Sequence, residues 1–261
     1  MLPLYYCEPA AGPTPQCIVG ISMGKVVAKL KIMCARSMHH AIGRLADEFS
    51  RASGHELDLG FGTVGALQAR LDAGEAADVV ITSIPAMDRL HQHGALAPGG
   101  RIELATTRIG VAVREGASAP DISTPEAFKQ ALIASRGIAF SDAAVGGSAG
   151  VYLARLFVDL GLADMIRHKG MPQATGGEVA TRVANGEADI GMTLIAEIVP
   201  IKGARVAGPL PPPLGNDTTY RAAVTATCRE PEAALAFIRA LARPAARDVW
   251  RAAGFEPPGE G

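Results

Sequence analysis

The stretch KLKIMCARSMHHAIGRL, residues 29–45, contains a whole strand-to-helix passage. Leu30 to Cys34 is a short apolar run with β-branched Ile32 inside it, which predicts a buried strand. Ala35 and Arg36 break the run. Ser37 then stands where a helix N-cap belongs, and Ala41, Ile42, Leu45 and Phe49 follow at helical spacing. A helix N-terminus carries unpaired N–H groups and about half a positive charge, so it attracts anions. Ser37 either caps its own helix or offers its hydroxyl to such an anion. The recurrence of the pattern favours the second.

Glu56–Phe61 alternates through Leu57, Leu59 and Phe61, turns at Gly62-Thr63-Val64-Gly65, and enters a helix through Leu67 and Leu71 that Gly74 closes. Val79-Val80-Ile81-Thr82 runs through Ser83 into a helix begun by Pro85. This βαβαβ rhythm predicts a parallel-core sheet with helices on both faces. Ile102–Val113 reads as a long strand crossing between lobes. Beyond it, Thr124-Pro125-Glu126 opens a helix to Ala134, and Gly137–Phe140 is a short strand. The Gly- and Ser-rich turn Ser141–Gly150 feeds a helix over Val151–Leu160. Lys169–Ala174 is strand-like, Thr175-Gly176-Gly177-Glu178 starts a helix, and Ala188–Leu194 is a buried strand. PLPPPLGN, residues 209–216, is a loop. Tyr220–Cys228 alternates as a return strand, and Pro231–Leu241 is an amphipathic helix. A chain that leaves one α/β unit, builds a second and returns predicts two lobes and a cleft. The expected boundaries are 25–105 plus 208–261 for the first lobe and 106–207 for the second, with residues 1–24 a disordered extension.

Of the 261 residues, 48% are hydrophobic and 5% aromatic, and the net charge is −1. These values give no reason to expect nucleic-acid or acidic-membrane binding, and they speak against an aromatic stacking groove. No apolar run is long enough to span a membrane. The four cysteines, Cys7, Cys17, Cys34 and Cys228, form no CxxC pair, so neither a disulfide framework nor a metal centre is expected. No cofactor-binding motif is present. Residues 1–22 contain no Lys or Arg and are interrupted by Glu8, Pro9, Pro13, Pro15 and Gln16. They do not read as an export signal, which predicts a cytoplasmic protein, or a periplasmic one if the start is misassigned.

Ser37, Thr63, the Val145–Ser148 turn and Gly177-Glu178-Val179 all lie at the C-end of a strand and the N-terminus of a helix. In open parallel sheets ligands bind at that edge, and four such mouths predict a site for one small anion. The same segments resemble the periplasmic molybdate-binding protein family, within the type II solute-binding proteins. Gly74-Glu75-Ala76-Ala77-Asp78-Val79-Val80-Ile81-Thr82-Ser83 is similar to its GxxADVxIS segment. Gly186-Glu187-Ala188-Asp189-Ile190-Gly191 is similar to its GEADxG. The likeness spans Lys29 to Phe255. It implies a two-lobe type II periplasmic-binding-protein-like fold hinged on two crossing strands.

By that resemblance Ser37 and Thr63 match the hydroxyl ligands. Val145, Gly147 and Ser148 fall where the family uses backbone amides, and Val179 matches the amide donor of a later helix. The family's ligand tyrosine falls on Leu194, and Arg36 stands where the family has a small residue. Both departures shift the expected ligand from molybdate to an organic di- or tricarboxylate, whose charged end suits the bidentate fork of Arg36. The resemblance implies a solute-binding protein, partnered by an ABC transporter permease only if it is exported. Some relatives of the family act as aconitate isomerases, and this is the alternative reading. In it, His39 or His40 is the expected base, with Glu178 a poorer candidate.

Overall fold

The computed structural model describes residues 27–259. The 1–24 extension and the reading of its export character lie outside them, apart from which the elements follow the sequence order closely. The strands are β1 (Lys29–Ala35), β2 (Glu56–Gly62), β3 (Val79–Ser83), β4 (Ile102–Arg114), β5 (Ile138–Ser141), β6 (Gly170–Gln173), β7 (Ile190–Leu194), β8 (Ala204–Pro209) and β9 (Asp217–Val224). The helices are α1 (His39–Ser53), α2 (Val64–Asp72), α3 (Ile84–Gln92), α4 (Pro125–Ala134), α5 (Ser148–Asp159), α6 (Ala163–Lys169), α7 (Gly176–Ala184), α8 (Ile195–Ile198), α9 (Pro231–Ala242) and α10 (Arg247–Ala252). The sequence reading has no counterpart of α6, α8 or β8.

The strands pair in the order β2-β1-β3-β9-β4-β7-β5-β6, with β8 also on β4. β1 is parallel to β2 and β3, and β5 is parallel to β6 and β7. Two parallel triplets therefore form the two lobes, the first closed by antiparallel β9 and the second by antiparallel β4. From Ile102 to Arg108, β4 bonds β9; from Ile109 to Ala112 it bonds β7, and β8 covers its other edge from Gly110 to Arg114. One strand thus belongs to both lobes, and the pairing path runs unbroken through it. The return passage is Leu210–Asn216, between β8 and β9.

Alternation along the strands puts helices on both faces. In β3, Val79 and Ile81 join the large core with α1, α9 and Trp250, while Val80 faces Met87 and Leu90 of α3. In β7, Ile190, Met192 and Leu194 face the core of α4 and α5. Gly191 lies under α7, where a Cβ would stand 2.8 Å from Val183. The helix stops also follow the sequence. Gly74 leaves α2 with φ +83°, and its N–H reaches the Leu71 carbonyl at 2.9 Å. Thr124 caps α4 by accepting the Ala127 N–H. No helix among the described residues is long and apolar enough to cross a membrane.

Candidate functional site

The C-ends of β1, β2, β5, β6 and β7 converge on one cavity of about 50 Å³. Ala35, Arg36 and Ser37 reach it from β1; Gly62, Thr63 and Val64 from β2; Val145, Gly147 and Ser148 from the turn after β5. Thr175 and Gly176 come from the mouth of α7, Leu194 and Glu197 from the end of β7, and Tyr220 from β9.

Ser37 does not cap a helix. Arg36–Met38 forms a single 3-10 turn before α1, and no side chain caps either. That extra turn carries Ser37 off the helix axis, so its hydroxyl donates to the Tyr220 phenol at 2.8 Å. Tyr220 is 1% exposed. Burial first, and then the Glu197 charge, push its phenol above the ordinary value, while the Ser37 and Ser148 hydroxyls act against this. The phenol stays protonated and can donate. Leu194 does remove a phenol from one wall, but Tyr220 supplies one from another.

Thr63 does cap α2, accepting the Ala66 N–H at 3.2 Å. Its hydroxyl also donates across the cleft to the Val145 carbonyl at 2.7 Å. Beside it the Gly65 N–H donates to the Gly146 carbonyl at 3.2 Å. The two lobes therefore touch at this rim, and the cavity lies behind the contact. Gly146, with φ +69°, turns the chain so tightly that a Cβ on Gly65 would meet its carbonyl at 3.2 Å.

The mouth of α7 differs from the expectation. Glu178 completes a capping box: its carboxylate accepts the Thr175 N–H, and the Thr175 hydroxyl accepts the Glu178 N–H. It is exposed and does not line the cavity. Val179 is packed in the core, and its N–H is spent on the Thr175 carbonyl at 3.2 Å. The residues at this mouth are instead Thr175 and Gly176.

What occupies it is Glu197, which α8 swings back toward the cavity. The Thr193 hydroxyl donates to Glu197 Oε2 at 3.0 Å, and the Ser141 hydroxyl donates to Thr193 at 2.9 Å. A Cβ on Gly176 would lie 2.2 Å from both Glu197 Oε2 and Thr193 Oγ1, so only glycine lets the carboxylate approach. Burial pushes the Glu197 carboxyl above the ordinary value; the Thr193 hydroxyl, the Gly176 N–H and the Arg36 charge oppose the rise. Asp142 also borders the cavity, but its Oδ1 accepts the Ala144 N–H and caps a short turn.

His39 and His40 do not line this cavity. They border a second one of about 110 Å³, which shares Arg36, Thr175 and Glu197 with the first. Their ring centroids are 3.8 Å apart, and the His39 Nδ1–H donates to the Arg36 carbonyl at 3.0 Å. Burial, then the neighbouring His39, hold His40 below the ordinary imidazole value. No group of three metal-ligating side chains occurs among the described residues. Sequence reasoning missed Tyr220 and Glu197. The alternation over Tyr220–Cys228 could have aimed the phenol; no signal marked Glu197.

The arrangement offers hydroxyls, backbone amides and a guanidinium to an anion, and an acid–base carboxyl beside it. Comparison with known proteins agrees with the scaffold. The chain is 20% identical to the substrate-binding domain of a putative molybdenum ABC transporter from Clostridium difficile, with TM-score 0.70, over 89% of this chain and 100% of that one. It is 23% identical to the periplasmic molybdate-binding protein of Azotobacter vinelandii, with TM-score 0.71, over 88% and 100%. At such identities the likeness speaks for the two-lobe fold. An aconitate isomerase from Pseudomonas sp. is 32% identical over 239 residues, 88% of each chain. The family model described as "Bacterial extracellular solute-binding protein" matches residues 30–256, and with that match the chain belongs to this family of solute-binding proteins.

Proposed function

We propose that the chain closes on an organic tricarboxylate and moves a proton within it, as an isomerase of the aconitate isomerase type. The observation that carries this reading is Glu197. A receptor for a free anion has no use for a carboxylate on its cavity wall, because like charge weakens binding. A proton transfer needs such a group, and a carboxyl raised toward neutrality is the better base. Supporting it is the 32% identity to an aconitate isomerase across nearly the whole chain.

In the proposed reaction Glu197 takes a proton from the saturated carbon beside a carboxylate. The electron pair left behind shifts the double bond along the three-carbon unit. A proton is returned at the far end from the same carboxyl, which exchanges with water between the two steps, so none is gained or lost on balance. Tyr220, which accepts from Ser37, and the amides at the mouth of α5 donate to the carboxylate that gathers charge in between. Glu197 replaces His39, His40 and Glu178 as the proposed base. The lobe boundaries expected near residues 105 and 208 form part of the proposal, since β4 changes partner between Arg108 and Ile109.

The test is proton NMR of trans-aconitate with the full chain in deuterated water. Conversion to cis-aconitate with deuterium entering the carbon skeleton is the expected result. Saturable binding without conversion or exchange would overturn turnover and leave an anion receptor. The sulfate-binding protein of Mycobacterium tuberculosis, 18% identical with TM-score 0.66 over 88% of this chain and 87% of that one, shares the scaffold on which that second reading rests. Only in that reading does the chain need export and an ABC permease as partner.

A further inference from the structure

The substrate proposed above brings three carboxylates, and the central cavity of about 50 Å³ is the smaller of two that adjoin. The second cavity lies directly beside it, at about 110 Å³. Arg36, Thr175 and Glu197 are the partition between the two. Arg36 is exposed, and a long side chain at the surface can swing aside without unpacking the core.

From this geometry we infer that the second cavity is the subsite for the distal carboxylate, and that His39 and His40 are the residues that select a tricarboxylate over a dicarboxylate. The inference rests on the tricarboxylate reading. The His39 ring is fixed in place by its bond to the Arg36 carbonyl and by the edge of Phe61, 6.0 Å away between centroids. Because that carbonyl can only accept, Nδ1 carries the hydrogen, and the other ring nitrogen donates to a carboxylate when the ring is the imidazolium. The two rings, tilted at 41° to each other, and the Arg36 guanidinium line a single cavity. Ile201 provides an apolar wall for the carbon chain. With Glu197 between the cavities, the carbons joining central and distal carboxylates pass the group proposed as base. His39 and His40 thereby act in binding rather than in proton transfer.

The test is calorimetric titration of the full chain, wild type and His39→Asn/His40→Asn, with trans-aconitate and with mesaconate. Mesaconate has a methyl group where trans-aconitate carries its third carboxylate arm. Both histidines are exposed, so the variant keeps its fold. Loss of hydrogen bonds to a charged group weakens trans-aconitate by about ten- to a hundredfold while mesaconate stays within about twofold. Equal losses for the two ligands, or no loss for either, overturn the subsite. Wild-type binding without conversion overturns the isomerase reading alone, since the titration needs no turnover. No wild-type binding of trans-aconitate overturns both.

Discussion

Tyr220→Phe removes one oxygen from the floor of the cavity and leaves the ring where it is, edge-on to Phe255 with centroids 6.1 Å apart. The bond lost is the 2.8 Å contact with Ser37. Ser37 is itself 7% exposed, so its hydroxyl faces either the cavity or nothing. A polar cavity with room for several waters supplies a substitute partner, which puts the cost to stability near the net value of one hydrogen bond, about 1 kcal/mol. For a chain of this size that lowers the melting temperature by about 2–4 °C. The cost to ligand is larger. A phenol donating to a carboxylate contributes about 1.5–3 kcal/mol, or roughly a 10- to 150-fold weaker Kd when lost. Thermal melting and calorimetry with trans-aconitate measure the two effects separately. A large fall in melting temperature with unchanged affinity would make Tyr220 a core residue and refute its place in the site.

Glu197→Gln should abolish conversion while leaving trans-aconitate bound, as read by NMR and calorimetry. Because the folded carboxyl lies above its ordinary 4.5, its contribution to stability is complete below that value and fades as pH rises through the raised one. The variant should therefore gain on wild type toward neutral pH in urea melts, and a gap independent of pH would contradict the burial argument. Thr193→Val removes a hydroxyl that holds the Glu197 charge, so the acid limb of the pH–rate profile should move to higher pH; an unmoved limb would detach Thr193 from the base. Gly65→Ala places a Cβ against Gly146, and about 1 kcal/mol of crowding at the rim should weaken trans-aconitate about fivefold in a titration. Arg36→Ala should weaken trans-aconitate at least about tenfold and sulfate less, because only the longer anion reaches the bidentate fork; equal losses by calorimetry would remove that role.

The parallel core was legible because its strands are short apolar runs or alternations bounded by turn residues, and its main helices are long enough to show their period. Ser37 and Thr63 were legible for the same reason: a hydroxyl between a strand and a helix has one place to be. The details of bonding were not. Ser37 reads as a cap in sequence, and only the 3-10 turn at Arg36–Met38 frees its hydroxyl for Tyr220, 183 residues on. Val179 lies too deep in α7 to reach a ligand, because the capping box spends the Glu178 amide and the first helical bond spends the Val179 amide, which leaves the mouth to Thr175 and Gly176. Glu197 sits on a four-residue helix, too short to carry a period. Nothing in one dimension tells that such a glutamate turns inward rather than to solvent.

That inward turn is what separates this site from a plain anion clamp. A helix N-terminus offers its N–H groups to whatever negative charge reaches it first. At α7 the charge is supplied by the chain itself, close against Gly176 and hydrogen-bonded through Thr193 to Ser141. The mouths of α2 and α5 and the Arg36 turn remain for a ligand, while the fourth mouth holds a carboxyl whose proton affinity is a balance. Burial raises it; the helix end, the Thr193 hydroxyl and Arg36 lower it; burial prevails. Were the helix end to prevail, Glu197 would be a fixed negative charge that repels the ligand and accepts no proton. With burial ahead, it is ready to take a proton from the ligand, and once neutral it repels the anion less. In the proposed reading, one glutamate replacing a ligand at a helix mouth turns a binding scaffold toward proton transfer without any change in the strands that support it.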